Sequence, residues 1–178
     1  MGISHYIKEI GRGKEGARSL SREQAADLMG QVLDGTAHAL SGIVTHVTDG
    51  DTIWVRPDEP NRKPVKLRLV GIDAPERCQA WGAESTVALT SQVLHRHVEV
   101  PTRGVDAHGR LLGGLMLDGR DVSAWMVEHG HAWSSRFHRH PGPYAQEQRA
   151  AQARGAGLFG DAAAIEPWLF RKAHGPCH

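Results

Sequence analysis

Apolar residues recur at helical spacing near the start of the chain. Two groups show the spacing, Ile3, Tyr6, Ile7 and Ile10, then Ala25, Leu28, Met29 and Val32. Positions i, i+3, i+4 and i+7 lie on one face of an α-helix. The pattern predicts a helical hairpin over residues 1–35 and a linker over residues 36–42.

From residue 43 the pattern changes to short strands. GIVTHVTDGDTIWVRP predicts two strands around Asp49-Gly50, because Asp-Gly supplies the positive φ of a tight hairpin turn. KLRLVGI predicts a third strand, and HVEVPTRGVDAHGRLLGGLML predicts two more.

Three helical segments accompany these strands. WGAESTVALTSQVLHRH predicts the first, Asp121 caps a second, and the third runs from about Tyr144 to Ala156. Five short strands with one helix after the third predict an α+β fold built on a five-stranded OB-fold β-barrel with three helices. This domain spans residues 43–160, and residues 161–178 are expected to form a C-terminal tail.

Composition narrows the class of protein. The 178 residues suffice for one domain and an appendage, and 40% apolar with 23% charged residues is typical of a soluble globular protein. The sequence has no 18-residue apolar run and no visible export signal, so we expect a cytoplasmic protein with no membrane partner. Cys78 and Cys177 lie 99 positions apart and are expected to be free thiols.

Four carboxylates follow the ends of two predicted strands. Asp49 and Asp51 lie at the first hairpin, and Asp73 and Glu76 follow the third strand. Carboxylates this close repel one another unless a cation lies among them. A hard divalent cation, of which Ca²⁺ tolerates irregular geometry best, would resolve the repulsion. Each motif taken alone also fits a hairpin turn or the start of a loop.

Two arginines add to this pattern. Arg68 lies inside the third strand, and Arg110 lies in the polar stretch before the fifth. A guanidinium stays charged, so an arginine in a strand must be paired or must face a phosphate. Two arginines, a metal ion and a carboxylate are a set suited to a phosphodiester.

The motifs DGDT, RLVGIDAPE and DAHGR, in this order, resemble the staphylococcal nuclease-like family over residues 41–159. The resemblance implies a Ca²⁺-dependent endonuclease that hydrolyses DNA and RNA with low sequence specificity and leaves 3′-phosphate ends. It implies Ca²⁺ ligands at Asp51, Asp73 and the backbone carbonyl of Ala74, with Asp49 in the outer shell.

The same resemblance assigns catalytic roles. Arg68 and Arg110 would bind the phosphate, and Glu76 would be the general base. The family's substrate-binding positions fall on His108, Arg136 and His138, where this chain departs from the family's residues. The resemblance therefore defines the residues that bind substrate less well than the residues that carry out the hydrolysis.

A second resemblance concerns residues 1–35, and a second possible function concerns the barrel. Residues 1–35 resemble the opening helices of the anthranilate phosphoribosyltransferase-like family, which serve dimerisation. They imply a homodimer and no activity, since the phosphoribosyl domain is absent. The second function considered is a non-catalytic barrel that binds nucleic acid or peptide. A degenerate copy of that kind would be expected to lose charged site residues, and this chain retains them.

Overall fold

A computed structural model describes residues 39–136, 140–175 and 177. The helical hairpin predicted for residues 1–35, the dimer expected from it, and His138 lie outside the described residues. Apart from Ala39, the described residues belong to one unit, Leu40–His178. The predicted linker ends later than the structure allows, because the first strand already begins at Ala39.

Nine strands occur in the described residues. They are β1 (Ala39–Asp49), β2 (Thr52–Pro57), β3 (Val65–Leu69), β4 (Ile72–Asp73), β5 (His97–Val105), β6 (Leu111–Gly113), β7 (Met116–Leu117), β8 (Arg120–Asp121) and β9 (Trp133–Ser134). The order β1-β2-β3-β6-β5, with β5 also paired to β1, closes a five-stranded barrel. β3 and β6 run parallel, and β4 pairs separately with β9. The predicted OB-fold barrel is confirmed.

Four α-helices accompany the barrel in the described residues. They are α1 (Gly82–Val93), α2 (Val122–Glu128), α3 (Ala145–Arg154) and α4 (Pro167–His174). Asp121 caps α2 as predicted, since its carboxylate accepts the backbone N–H groups of Ser123 and Ala124. α3 ends at Gly155, which adopts the left-handed conformation, and is shorter than expected. α4 was not predicted.

The core explains where the polar residues of β3 must lie. Alternation along β3 buries Leu67 and Leu69 completely, and they pack with Ile53 of β2 and Leu89 of α1. Arg68 lies between the two leucines and so occupies the opposite face of the strand. The arginine is thereby directed away from the apolar core.

A disulfide ties the end of the chain to the barrel domain. Cys78 and Cys177 are bonded, with their Cα atoms 5.7 Å apart. The expectation of two free thiols is therefore wrong. A separation of 99 residues says nothing about proximity in space. The C-terminal segment, defined here as residues 161–175 and 177, folds back and brings the two cysteines together.

Candidate active site

The turn between β1 and β2 supplies two of the predicted carboxylates. Asp49 Oδ1 accepts the backbone N–H of Asp51 at 3.1 Å, which stabilises the turn. A Cβ atom on Gly50 would collide with the hydroxyl of Ser85 on α1. The turn can approach α1 this closely because residue 50 is glycine.

Arg68 bridges the two carboxylate motifs. Its Nη2 atom is 3.1 Å from Asp51 Oδ2 and 3.3 Å from Asp73 Oδ1. Its Nη1 atom donates to the backbone carbonyls of Leu69 and Ile72, at 2.5 and 3.0 Å. The side chain is only 20% exposed. Arg68 is thus paired, as its place in a strand requires.

Asp51 is a buried carboxylate at the centre of the site. Its Oδ2 atom accepts the backbone N–H of Ala74 at 2.9 Å, and its Oδ1 atom accepts the Thr52 hydroxyl at 3.0 Å. Burial raises the pKa of Asp51 to about 6, the charge of Arg68 opposes the rise, and the charge of Asp49 adds to it. Positive charge beside Asp51 would therefore favour its ionised form.

A third arginine reaches the site from α4. Arg171 donates through Nη1 and Nη2 to the two carboxylate oxygens of Asp73, at 3.1 and 3.0 Å. Nη1 also donates to Glu76 Oε1 at 2.7 Å. Burial raises the pKa of Asp73, and the hydrogen bonds and charge of Arg171 oppose that rise. Arg171 therefore holds the metal ligand and the general base that the sequence predicts.

The sequence analysis missed Arg171. It lies 98 residues from Asp73 along the chain, within a segment interpreted as a tail. A usable signal exists in PWLFRKAH, because proline favours the first turn of a helix and basic residues favour the last. That signal predicts the helix but does not say which surface the helix covers.

Further contacts hold the loop that carries Glu76 against the C-terminal segment. The Glu76 backbone N–H donates to Gln79 Oε1 at 3.1 Å, and Gln79 Nε2 donates to the carbonyl of Ile165 at 2.8 Å. The Cys78–Cys177 disulfide links the same loop to the end of the chain. The position of Glu76 thus depends on residues that follow it by about a hundred positions.

Arg110 is paired within its own loop. Its Nε atom donates to Asp106 Oδ2 at 2.7 Å, and Asp106 Oδ1 accepts the backbone N–H groups of Arg110 and His108, both at 2.9 Å. β6 begins at the next residue and runs parallel to β3, the strand of Arg68. The structure places Arg110 immediately before the strand that neighbours β3, with a local partner.

Arg136 lies just after β9, whose Trp133 pairs with Asp73 of β4. Its guanidinium donates to the carboxylate of Glu166, which immediately precedes α4. Arg136 therefore lies between the active-site strand and the C-terminal segment. His138, the neighbouring substrate-binding position that the resemblance implies, lies beyond the described residues.

A family model described as a staphylococcal nuclease homologue matches residues 66–161. The matched range covers more than half of the 178 residues and includes Arg68, Asp73, Glu76 and Arg110. The chain belongs to the staphylococcal nuclease-like family. Arg171 and α4 follow the matched range, so they lie outside what the family model describes.

Relatives in the staphylococcal nuclease-like family cover most of the chain. Protein ParB of Escherichia coli is 40% identical over 144 residues, which are 75% of this chain and 80% of the relative. An uncharacterized endonuclease of Haemophilus influenzae is 35% identical and spans 72% of this chain and 71% of its own. A micrococcal nuclease of Shigella flexneri is 35% identical and spans 74% of this chain and 80% of its own.

Family membership confirms the resemblance stated from DGDT, RLVGIDAPE and DAHGR. The metal ligands, the catalytic role of Glu76 and the phosphate contacts of the two arginines stay predictions, which the geometry above makes specific.

Proposed function

We propose that this protein is a Ca²⁺-dependent endonuclease that cleaves DNA and RNA with low sequence specificity and leaves 3′-phosphate ends. Membership of the staphylococcal nuclease-like family supports the proposal, as do relatives named endonuclease and micrococcal nuclease. The observation that carries it is Arg68, held between Asp51 and Asp73. A guanidinium among carboxylates suits a phosphate and a cation.

The donor set fits a hard cation in its chemistry. Asp51 and Asp73 are buried carboxylates with raised pKa values, and Asp49 lies at the same turn. Within the described residues no three acidic, imidazole or thiol groups already surround one point, and Arg171 engages both oxygens of Asp73. Asp51, Asp73 and the carbonyl of Ala74 would hold the ion, with Asp49 outside them. Bound there, Ca²⁺ would polarise a phosphate oxygen.

The side chains of this chain supply the remaining steps. Arg68 and Arg110 would bind oxygens of the scissile phosphate and stabilise the charge that grows on them, for which Arg110 would exchange its Asp106 partner for phosphate. Glu76 would take a proton from the attacking water as the new P–O bond forms. The bond from phosphorus to the 5′-oxygen breaks, and that oxygen takes a proton from solvent.

Low sequence specificity follows from the kind of contacts. Arginines that grip a phosphate read no base edge. A flexible single strand also enters a cleft with less deformation than a duplex. We therefore expect faster cleavage of single-stranded than of double-stranded substrate.

Location and assembly remain predictions. None of the helices in the described residues has the length and hydropathy of a membrane span. The Cys78–Cys177 disulfide argues against the predicted cytoplasmic location, because such bonds persist mainly in oxidising compartments. The homodimer expected from residues 1–35 can be checked by light scattering on the full chain.

One assay tests the function directly. Single- and double-stranded DNA and RNA are incubated with the protein in Ca²⁺ or in chelator, and product ends are determined by labelling. We expect cleavage in the presence of Ca²⁺ but not in chelator, and we expect the products to carry 3′-phosphate ends. Glu76→Gln should lose cleavage while calorimetry still detects Ca²⁺ binding. Binding of nucleic acid without cleavage would support the non-catalytic alternative, and 3′-hydroxyl ends would contradict the mechanism.

A further inference from the structure

The C-terminal segment exposes an unusual amount of apolar surface next to the active site. Five large apolar side chains of the described residues are well exposed, and three of them lie on this one stretch: Ile165 at 45%, Trp168 at 46% and Leu169 at 40%. An exposed apolar cluster beside a functional site marks a binding surface more often than a single exposed residue does.

A polar cavity of about 200 Å³ lies beside this cluster. Asp73, Arg136, Trp168 and Arg171 are among the residues that line it. The cavity therefore joins the carboxylate that Arg68 contacts to the exposed indole of α4. A ligand that fills the cavity would contact both Asp73 and Trp168.

Glu166 fixes the orientation of the groups around the cavity. Its Oε2 atom accepts the indole N–H of Trp168 at 2.8 Å, and its Oε1 atom accepts a hydrogen bond from Arg136. The indole N–H is thus satisfied within the protein, and what remains available to a ligand is the apolar ring. The Arg136 side chain is 53% exposed, and within the described part of the chain its carboxylate partner Glu166 engages only some of the N–H donors of its guanidinium.

An aromatic ring beside exposed arginine donors matches the chemistry of single-stranded nucleic acid. Bases stack on aromatic side chains without regard to sequence, and arginines bind the phosphates between them. A duplex offers no free base face, and an apolar peptide would gain nothing from Arg136. Because Trp168 and Asp73 line one cavity, a base stacked on the ring would lie on the same side of the protein as the proposed metal ligand Asp73.

We propose that Trp168 and Arg136 form a nucleotide subsite, in which the indole stacks on a base of single-stranded DNA or RNA and the guanidinium binds a neighbouring phosphate. The proposal rests on the proposed nuclease function and adds a substrate contact from α4. A substrate contact at position 136 is already implied by the family resemblance, and the new element is Trp168, which lies outside the range that the family model matches.

Direct binding tests the subsite independently of cleavage. A fluorescent single-stranded oligonucleotide is titrated with the full chain carrying Glu76→Gln, in Ca²⁺, and anisotropy gives Kd. Trp168→Ala in that background should weaken binding roughly 5-fold or more, the scale of one lost base stack, while Trp168→Phe should stay close to the parent. Val87→Ala, which removes another exposed apolar side chain, on α1, is the matched control and should change nothing.

An oligonucleotide with abasic positions identifies stacking as the cause. The Trp168→Ala effect should vanish when the bases are removed, because no ring remains to stack. Arg136→Ala should instead lower the salt dependence of binding, with the slope of log Kd against log salt falling by about 0.7 for one phosphate contact. Equal weakening of intact and abasic strands by Trp168→Ala would overturn the stacking assignment.

Kinetics separates this proposal from the proposed function. With Glu76 intact, Trp168→Ala should raise KM for single-stranded substrate and leave kcat nearly unchanged. If wild-type protein fails to cut but Trp168→Ala still weakens binding, the nuclease proposal fails and the subsite stands. If wild-type protein cuts and Trp168→Ala binds like its parent, the subsite fails alone, and the exposed surface serves another partner.

Discussion

The barrel site and the C-terminal segment each direct an arginine to Asp73, by different routes. Arg68 lies on β3 between Asp51 and Asp73, with every partner inside a stretch of about two dozen residues. Arg171 reaches Asp73 and Glu76 from α4, after a separation of more than ninety residues. The first arginine is 20% exposed and the second 43%.

Burial and contacts indicate different roles for the two arginines. Arg68 is fixed by backbone carbonyls as well as by carboxylates, so it is an inherent part of the barrel. Among the described residues, the Arg171 guanidinium donates to the carboxylates of Asp73 and Glu76, and the segment that contains its helix is tied to the barrel domain by the disulfide. Removing Arg68 should damage the chemistry, whereas removing Arg171 should alter access to the carboxylates.

The largest effect is expected from breaking the link that holds the C-terminal segment. Cys177→Ser opens the bond to Cys78 and should lower the free energy of unfolding by about 2–4 kcal/mol, because the closed loop is long. Urea unfolding of the oxidised protein with and without the substitution measures the difference.

Two controls accompany this measurement. Reductant should shift the unfolding midpoint of the wild-type protein to that of Cys177→Ser, and should not shift the variant further. Identical midpoints for oxidised wild type and Cys177→Ser would mean that the segment adds nothing to the stability of the barrel.

The next effect comes from the barrel side. Arg68→Ala should lower kcat by roughly 10²-fold or more, the scale of one donor that stabilises the transition state. Arg68→Lys should not restore activity, because an ammonium cannot bind two oxygens of the scissile phosphate through a planar fork of N–H donors. Steady-state kinetics on single-stranded DNA measures both variants.

Arg62→Ala serves as the control for Arg68→Ala. Arg62 also pairs with an acidic residue, Glu59 at 2.7 Å, but on the exposed surface. Its loss should leave kcat unchanged, since exposed ion pairs contribute little. An Arg68→Lys variant with near wild-type kcat would contradict a forked contact from Arg68 to the phosphate.

The contrast between the two arginines also explains what the sequence could predict. Asp51, Arg68 and Asp73 belong to motifs whose strands are neighbours along the chain, so pattern and turn chemistry sufficed to bring them together. The barrel followed from the same short-range signals. The sequence analysis did not establish the local partner of Arg110, because a polar loop carries no signal for the direction of a side chain.

The C-terminal segment could not be predicted in the same way. PWLFRKAH has the composition of a short helix, yet eight residues are too few to predict which surface of the barrel domain the helix packs against. Its position follows from Arg171, the contact between Gln79 and Ile165, and the disulfide, all of which join residues far apart in sequence. The free-thiol prediction failed for that reason.

The smallest expected effect is a change in Ca²⁺ affinity, and it concerns Asp73, where the barrel site and the C-terminal segment are in contact. Ca²⁺ bound to Asp73 would have to share or displace the hydrogen bonds that both carboxylate oxygens accept from Arg171. Arg171→Ala should therefore tighten Ca²⁺ binding by a few-fold, in line with the modest strength of a partly exposed ion pair. Calorimetric titration of the full chain with Ca²⁺, without substrate, measures this.

Lys172→Ala on the same helix is the matched control, since it removes one exposed positive charge but has no place among the contacts of Asp73 in the described residues. Lys172→Ala should bind Ca²⁺ slightly more tightly than wild type, and Arg171→Ala should show the larger gain. The gain from removing a general positive charge is small because salt screens electrostatic repulsion. Equal gains in both variants would mean that net charge, and not competition at Asp73, sets the affinity. Weaker Ca²⁺ binding in Arg171→Ala would show that Arg171 organises the carboxylates for the ion instead of competing with it.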